Sequence, residues 1–152
     1  MKYRNSIFAL VYLIKEKNVE YLILKRKLHW KGWEFPKGAI ERFETKKGAV
    51  KREVFEETGL SIKREDIKKF EFSGKYKYNK VILDRSEFKG QSFSLYSVEV
   101  KKGKVRVDNY EHSDYKWVGF EKALKMLTWS NQKKSLKIVN EWLENEIQKK
   151  NS

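Results

Sequence analysis

The strongest chemical signal in this chain is a crowd of carboxylates, Glu53, Glu56 and Glu57, following Arg52 in a segment that reads as a helix from Thr45 to Thr58. At about 100° per residue the three glutamates fall within an arc of roughly 100° on one helix face. Like charges at these spacings oppose an isolated helix by roughly a few tenths of a kcal/mol per pair, so the arrangement asks for a cation. Arg52 can neutralise one charge. Hard divalent ions suit the rest, because magnesium takes carboxylate oxygens and keeps waters and substrate phosphates as its other ligands. A solvated glutamate face is the commoner use of such residues, and the helix by itself leaves both readings open.

Spacing beyond the helix separates them. Gly38 is followed after five residues by Glu44, and after seven more by Arg52-Glu53-Val54-Phe55-Glu56-Glu57-Thr58-Gly59-Leu60. This resembles the Nudix hydrolase signature at every fixed position, with Val54 and Leu60 at its aliphatic ones. The resemblance implies an α+β fold, a Nudix-type α/β/α sandwich with a mixed central sheet. It also implies Mg2+-dependent hydrolysis of a nucleoside diphosphate linkage, with Mn2+ as a substitute ion. Carried over residue by residue, it makes Glu53 and Glu57 metal ligands and Glu56 a further ligand or the base. Arg52 orients a glutamate, the Gly38 carbonyl joins the metal shell, and Glu44 braces loop and helix. Water then attacks phosphorus without a covalent enzyme intermediate. The chain has no cysteine and no Gly-x-Ser-x-Gly elbow to suggest a nucleophilic alternative.

Residues outside the signature must choose the substrate. Trp33-Glu34-Phe35-Pro36-Lys37-Gly38 and Glu111-His112-x-x-Tyr115-x-Trp117 are similar to the asymmetric diadenosine tetraphosphate hydrolase branch. By that resemblance Lys37 reaches the polyphosphate, Glu111 is a second base candidate or metal ligand, and Tyr78 and Trp129 sandwich an adenine. His112 is read as structural. Gly90-Gln91 before a strand is instead similar to relatives that remove pyrophosphate from RNA 5′ ends, which carry glutamine where this chain has Lys37. The expected reaction is cleavage of diadenosine tetraphosphate to ATP and AMP. The alternatives are RNA 5′-pyrophosphohydrolysis and, from another class, a non-catalytic nucleotide- or RNA-binding domain.

These side chains need a scaffold. The apolar run Ile7 to Ile14 and Glu20 to Leu24 read as paired strands, and the Trp30 to Gly38 stretch, with the only proline, as a loop. Thr45 serves as N-cap and Gly59 as the stop of the acidic helix. Phe70 to Tyr78, Phe93 to Val100 and Tyr115 to Val118 read as strands, with Asp84 to Gln91 a loop. Glu121 to Leu127 and Lys133 to Ile147 read as helices, the latter from Leu136, Val139, Leu143 and Ile147. One domain from 1 to 148 and a frayed tail, 149 to 152, complete the expected plan.

Composition bounds the setting. The 152 residues hold 35 basic and 21 acidic side chains, a net charge of +14, which fits either an anionic partner, a nucleotide or an RNA 5′ end, or a solvated lysine-rich surface. The absence of cysteine excludes a disulfide framework or zinc ribbon and suits a cytoplasmic location. Ile7 to Ile14 is too short to span a bilayer, so no membrane association is expected, and no stable protein partner.

Overall fold

The computed structural model describes residues 2–78, 80–101 and 104–151. Seven strands share one mixed sheet: β1 (Lys2–Lys15), β2 (Asn18–Arg26), β3 (Gly32–Glu34), β4 (Lys37–Ala39), β5 (Ile67–Lys77), β6 (Phe88–Glu99) and β7 (His112–Val118). Helices α1 (Lys46–Thr58), α2 (Phe120–Met126) and α3 (Ser130–Lys150) cover it. This is the expected α+β sandwich.

The apolar run in β1 is explained by burial on both sides. Ile7, Ala9 and Val11 share a core with Ala49, Val50 and Val54 of α1, while Phe8, Leu10 and Tyr12 share the other with Leu136, Val139 and Leu143 of α3. Alternate side chains point to opposite faces, so a strand covered on both reads as continuously apolar. β6 runs parallel to β1 from its first residue to Tyr12.

β1 and β2 pair only near their hairpin, from Tyr12 opposite Tyr21 to Lys15 opposite Asn18. Farther out they part. β4 then pairs with β1, placing Gly38 opposite Ile7, and β3 pairs with β2, placing Glu34 opposite Leu24. Phe35-Pro36 crosses the fork, where the Pro36 carbonyl accepts from the Ala9 amide at 2.9 Å. Proline is tolerated here because the crossing needs an acceptor and no ladder donor. α1 begins and ends as expected: Thr45 Oγ1 accepts from the Gly48 amide at 3.0 Å, and Gly59 closes the helix at φ 77°.

Several boundaries differ from expectation. The Trp30 to Gly38 loop contains β3 and β4, held by pairing that three-residue segments do not announce. β1 begins at Lys2 because the parallel ladder to β6, and not apolar burial, holds its polar start. β5 begins at Ile67 and ends at Lys77, leaving Tyr78 just beyond it; β7 begins at His112. The Asp84 to Gln91 loop is shorter than expected, since a 3-10 turn occupies Leu83–Arg85 and β6 starts at Phe88. α3 absorbs Lys149 and Lys150 of the expected frayed tail, where Lys149 pairs with Glu146 at 3.5 Å and lysines favour the helix C-terminus. Ser152 lies outside the described residues.

Candidate active site

The last turns of α1 meet the fork between β1 and β2. A Cβ added at Gly38 would overlap the Glu53 carboxylate, so the bare backbone of β4 is what lets that side chain lie against it. One residue earlier, the Lys37 amide donates to Glu57 Oε2 at 3.1 Å. Strand and helix therefore fix two carboxylates together. Arg52 organises more than the single charge expected of it. Its Nε and Nη2 donate to the two oxygens of Glu44 at 2.8 and 2.9 Å, and Nη2 also donates to the Ala39 carbonyl at 2.9 Å. Nη1 donates to Glu53 Oε1 at 2.7 Å and to Glu56 Oε2 at 3.4 Å. The fork-on-carboxylate geometry to Glu44 gives direction as well as attraction. These bonds tie Glu44, in the loop before α1, to Arg52 inside the helix. Glu56 sits at the rim, with 55% of its side chain exposed.

The electrostatics fit a divalent cation. Burial raises the Glu53 carboxyl, Arg52 opposes the rise, and Glu56 and Glu111 push further, to about 7. Burial and the charges of Glu53, Glu34 and Glu111 hold Glu57 well above the usual carboxylate range. Glu57 Oε1 is buried with no hydrogen-bond partner among the described residues. A concentrated set of oxygen donors with one orphaned atom is what a hard cation satisfies.

A pH dependence follows for the metal-free protein. Because Glu53 and Glu57 titrate higher in the folded chain than in the unfolded one, the folded state binds more protons between about 4.5 and 7, and stability falls as pH rises through that window. His112, raised by Glu34 and Asp108 against its burial, loses its contribution in the same direction above its ordinary value. In EDTA the melting temperature should be lower at pH 8 than at pH 5.5; an increase over that interval would contradict the clustering. Glu34 and Asp108, both lowered, act only at the acid end.

Beside the glutamates lies a second network that sequence reading missed. Glu34 is fully buried and accepts from Arg26 Nη1 at 3.1 Å and pairs with His112 Nε2 at 2.7 Å. Burial pushes its carboxyl up, but Lys37, His112 and Arg26 outweigh that and hold it at about 2. His112 Nδ1 faces Asp108 Oδ2 at 2.9 Å, and Arg26 Nη1 also reaches Glu111 Oε2 at 3.1 Å. Glu34, Glu57 and His112 place one ligand-type atom each within 4.8 Å of one another. The structural reading of His112 agrees with this hub position. The available signal for Glu34 was a charge between Trp33 and Phe35, which is costly unless paired.

A cavity of about 330 Å³ opens next to this network. Tyr78 and Trp129 both line it, but as members of two separate edge-to-face pairs. Tyr76 meets Tyr78 at 6.4 Å between centroids, and Trp30 meets Trp129 at 5.2 Å. Four rings thus line the cavity, the two expected to flank an adenine and a neighbour of each. Lys37 lines the cavity with its ammonium 3.5 Å from Glu34 Oε1, and Arg26, Lys77, Lys80 and Arg85 add positive charge. Glu111 lies close enough for its charge to raise both Glu53 and Glu57. Among the described residues no helix is long and apolar enough to cross a membrane.

Comparison with known proteins agrees with this architecture. A family model described as the NUDIX domain matches residues 2–138. The chain is 31% identical over 133 residues to an RNA pyrophosphohydrolase of a Nitratiruptor species, covering 84% of this chain and 85% of that protein. It is 28% identical over 147 residues to a dihydroneopterin triphosphate diphosphatase of Haemophilus influenzae, covering 90% and 89%. An Ap4A hydrolase of C. elegans in a binary complex superposes with a TM-score of 0.72 at 20% identity, over 93% of this chain and 98% of that one, a likeness of fold.

Proposed function

This chain belongs to the NUDIX family as a pyrophosphohydrolase, and from that premise we propose that it cleaves diadenosine tetraphosphate asymmetrically to ATP and AMP with Mg2+, Mn2+ substituting. The observation that carries the substrate choice is the four-ring, cation-lined cavity beside the glutamate cluster. Rings offer stacking that tolerates a purine, and the cations match a tetraphosphate. In this proposal residues 1–148 act as one hydrolase domain in the cytoplasm, a setting consistent with the absence of cysteine.

Glu53 and Glu57 would hold the ion, with Glu56, Glu111 and the Gly38 carbonyl as the further ligands available to it. When bound, the ion neutralises phosphate charge and acidifies a water. The chain's own groups do the rest. Arg52 holds Glu53 and Glu44 in register, and Glu111 or Glu56 takes the proton of the attacking water. That oxygen bonds to phosphorus, the bridging phosphorus–oxygen bond breaks, and its electron pair leaves with the departing nucleotide. Tyr78 and Trp129 bind an adenine, and Lys37 contacts the polyphosphate.

Purified protein with Mg2+ and diadenosine tetraphosphate should give equal amounts of ATP and AMP by chromatography; two ADP, or no turnover, would overturn the proposal. Lys37→Ala should lower kcat/KM by about 10- to 100-fold, the worth of a charge-assisted hydrogen bond. An unchanged value would remove Lys37 from the site. The second reading is an RNA 5′-pyrophosphohydrolase, favoured by the 31% identical relative and by the basic surface. It predicts pyrophosphate release from triphosphorylated RNA in preference to dinucleotide cleavage, with Glu57 needed in either case.

A further inference from the structure

We propose that the cavity presents the Tyr78 hydroxyl to its occupant as an obligate hydrogen-bond donor, and that Gln91 is the positioning residue that sets this polarity. The inference rests on the reading of the cavity as the nucleotide site. It starts at Lys37, whose ammonium can donate and cannot accept. With Nζ 3.2 Å from Tyr76 Oη, it uses that phenol oxygen as an acceptor. Tyr76 has one proton and gives it to Gln91 Oε1 at 3.0 Å. In this arrangement the amide turns its carbonyl to Tyr76 and its NH2 away from it. Gln91 Nε2 then donates to Tyr78 Oη at 2.9 Å.

The Arg4 guanidinium, another group that only donates, faces the same phenol. Tyr78 thus receives on its oxygen, and no described residue accepts its own proton. Gln91 is 4% exposed, so solvent has little access with which to reorient the amide. Tyr78 lines the cavity, and its proton is available to an acceptor there, either a nucleobase ring nitrogen or a phosphate oxygen. With the Gln91 amide in this orientation the free proton of the relay is that of Tyr78, whereas the reversed amide would take the Tyr78 proton and leave that of Tyr76 without an acceptor.

The test is binding, read by quenching of the cavity tryptophans Trp30 and Trp129, with adenosine, AMP and tripolyphosphate as probes. Tyr78→Phe keeps the ring and removes the proton. It should weaken its ligand about tenfold, the worth of one hydrogen bond. A loss with adenosine and AMP assigns the acceptor to the base, and a loss with AMP and tripolyphosphate assigns it to phosphate. Gln91→Glu is nearly isosteric but offers two acceptors, so it captures the Tyr78 proton and should reproduce the Tyr78→Phe loss. The double variant should then be no weaker than either single one. Additive losses, or a Tyr78→Phe protein that binds all three probes like wild type, would overturn the proposal. Melting curves check folding. If Gln91→Glu does not fold, Tyr76→Phe, which frees the amide to rotate, must weaken the same probes; wild-type binding there would also overturn the relay. Absence of quenching of the wild-type protein by any probe would instead overturn the reading of the cavity as the nucleotide site.

Discussion

Glu57→Gln should lower kcat/KM by about 10²- to 10⁴-fold, the rate equivalent of the several kcal/mol that a bound metal contributes to transition-state charge. The substitution is close to isosteric, and glutamine's carbonyl can still accept from the Lys37 amide, which donates to Glu57 Oε2 at 3.1 Å. What it removes is one of the charges that crowd against Glu53, Glu34 and Glu111. The same variant should therefore be more stable than the wild type at pH 8 in EDTA, and should gain less from added Mg2+. This opposition of activity and metal-free stability separates a ligand from a packing residue, whose loss would lower both. Steady-state kinetics and melting with and without Mg2+ measure the two arms, and a Glu57→Gln enzyme of normal rate would rule out the proposed metal role.

Gly38→Ala should come next in effect, lowering kcat/KM by on the order of 10²-fold, the cost of displacing a reacting group by about 1 Å. A Cβ at this position would occupy the space of the Glu53 carboxylate. Either Glu53 swings away and loses its 2.7 Å bond from Arg52, or β4 shifts from Ile7 in β1. The first response weakens Mn2+ affinity with little change in melting temperature, and the second lowers stability by about 1–3 kcal/mol, as overpacking does. Titration of Mn2+ and a thermal melt distinguish them. Normal kinetics would show that Glu53 does not need its place against β4.

These two positions also mark how far the sequence could be read. The glutamate face of Glu53, Glu56 and Glu57 stood out because periodicity of 3.6 residues is visible in a single segment, while the roles expected of Gly38, Glu44, Arg52, Glu53 and Glu57 came from resemblance to a family signature whose residues lie in one helix and the short loop before it. Thr45 and Gly59 bounded that helix by capping chemistry that acts within a few residues. β3 and β4 were not legible, since each is three residues long and exists only because β1 and β2 diverge and leave ladder partners free.

The buried hub shows the same division at the site. Glu34, Arg26, Asp108 and His112 come from three separated stretches of chain, and in isolation each is an ordinary charged or polar residue. Their pairing depends on β7 lying beside β2, so that His112 stands opposite Arg26. The Tyr76, Gln91 and Tyr78 relay likewise needs the β5 and β6 register, which places Tyr76 opposite Gln91. By itself the sequence determined a capped helix with a crowded glutamate face and the fold class, because helix periodicity, caps and apolar runs are written in neighbouring residues; the metal role expected of that face came from the resemblance. Only the tertiary structure decided which acid is buried, which cations answer it and which rings share a cavity. Those choices arise from strand register and from desolvation, and both are set by residues distant in the chain.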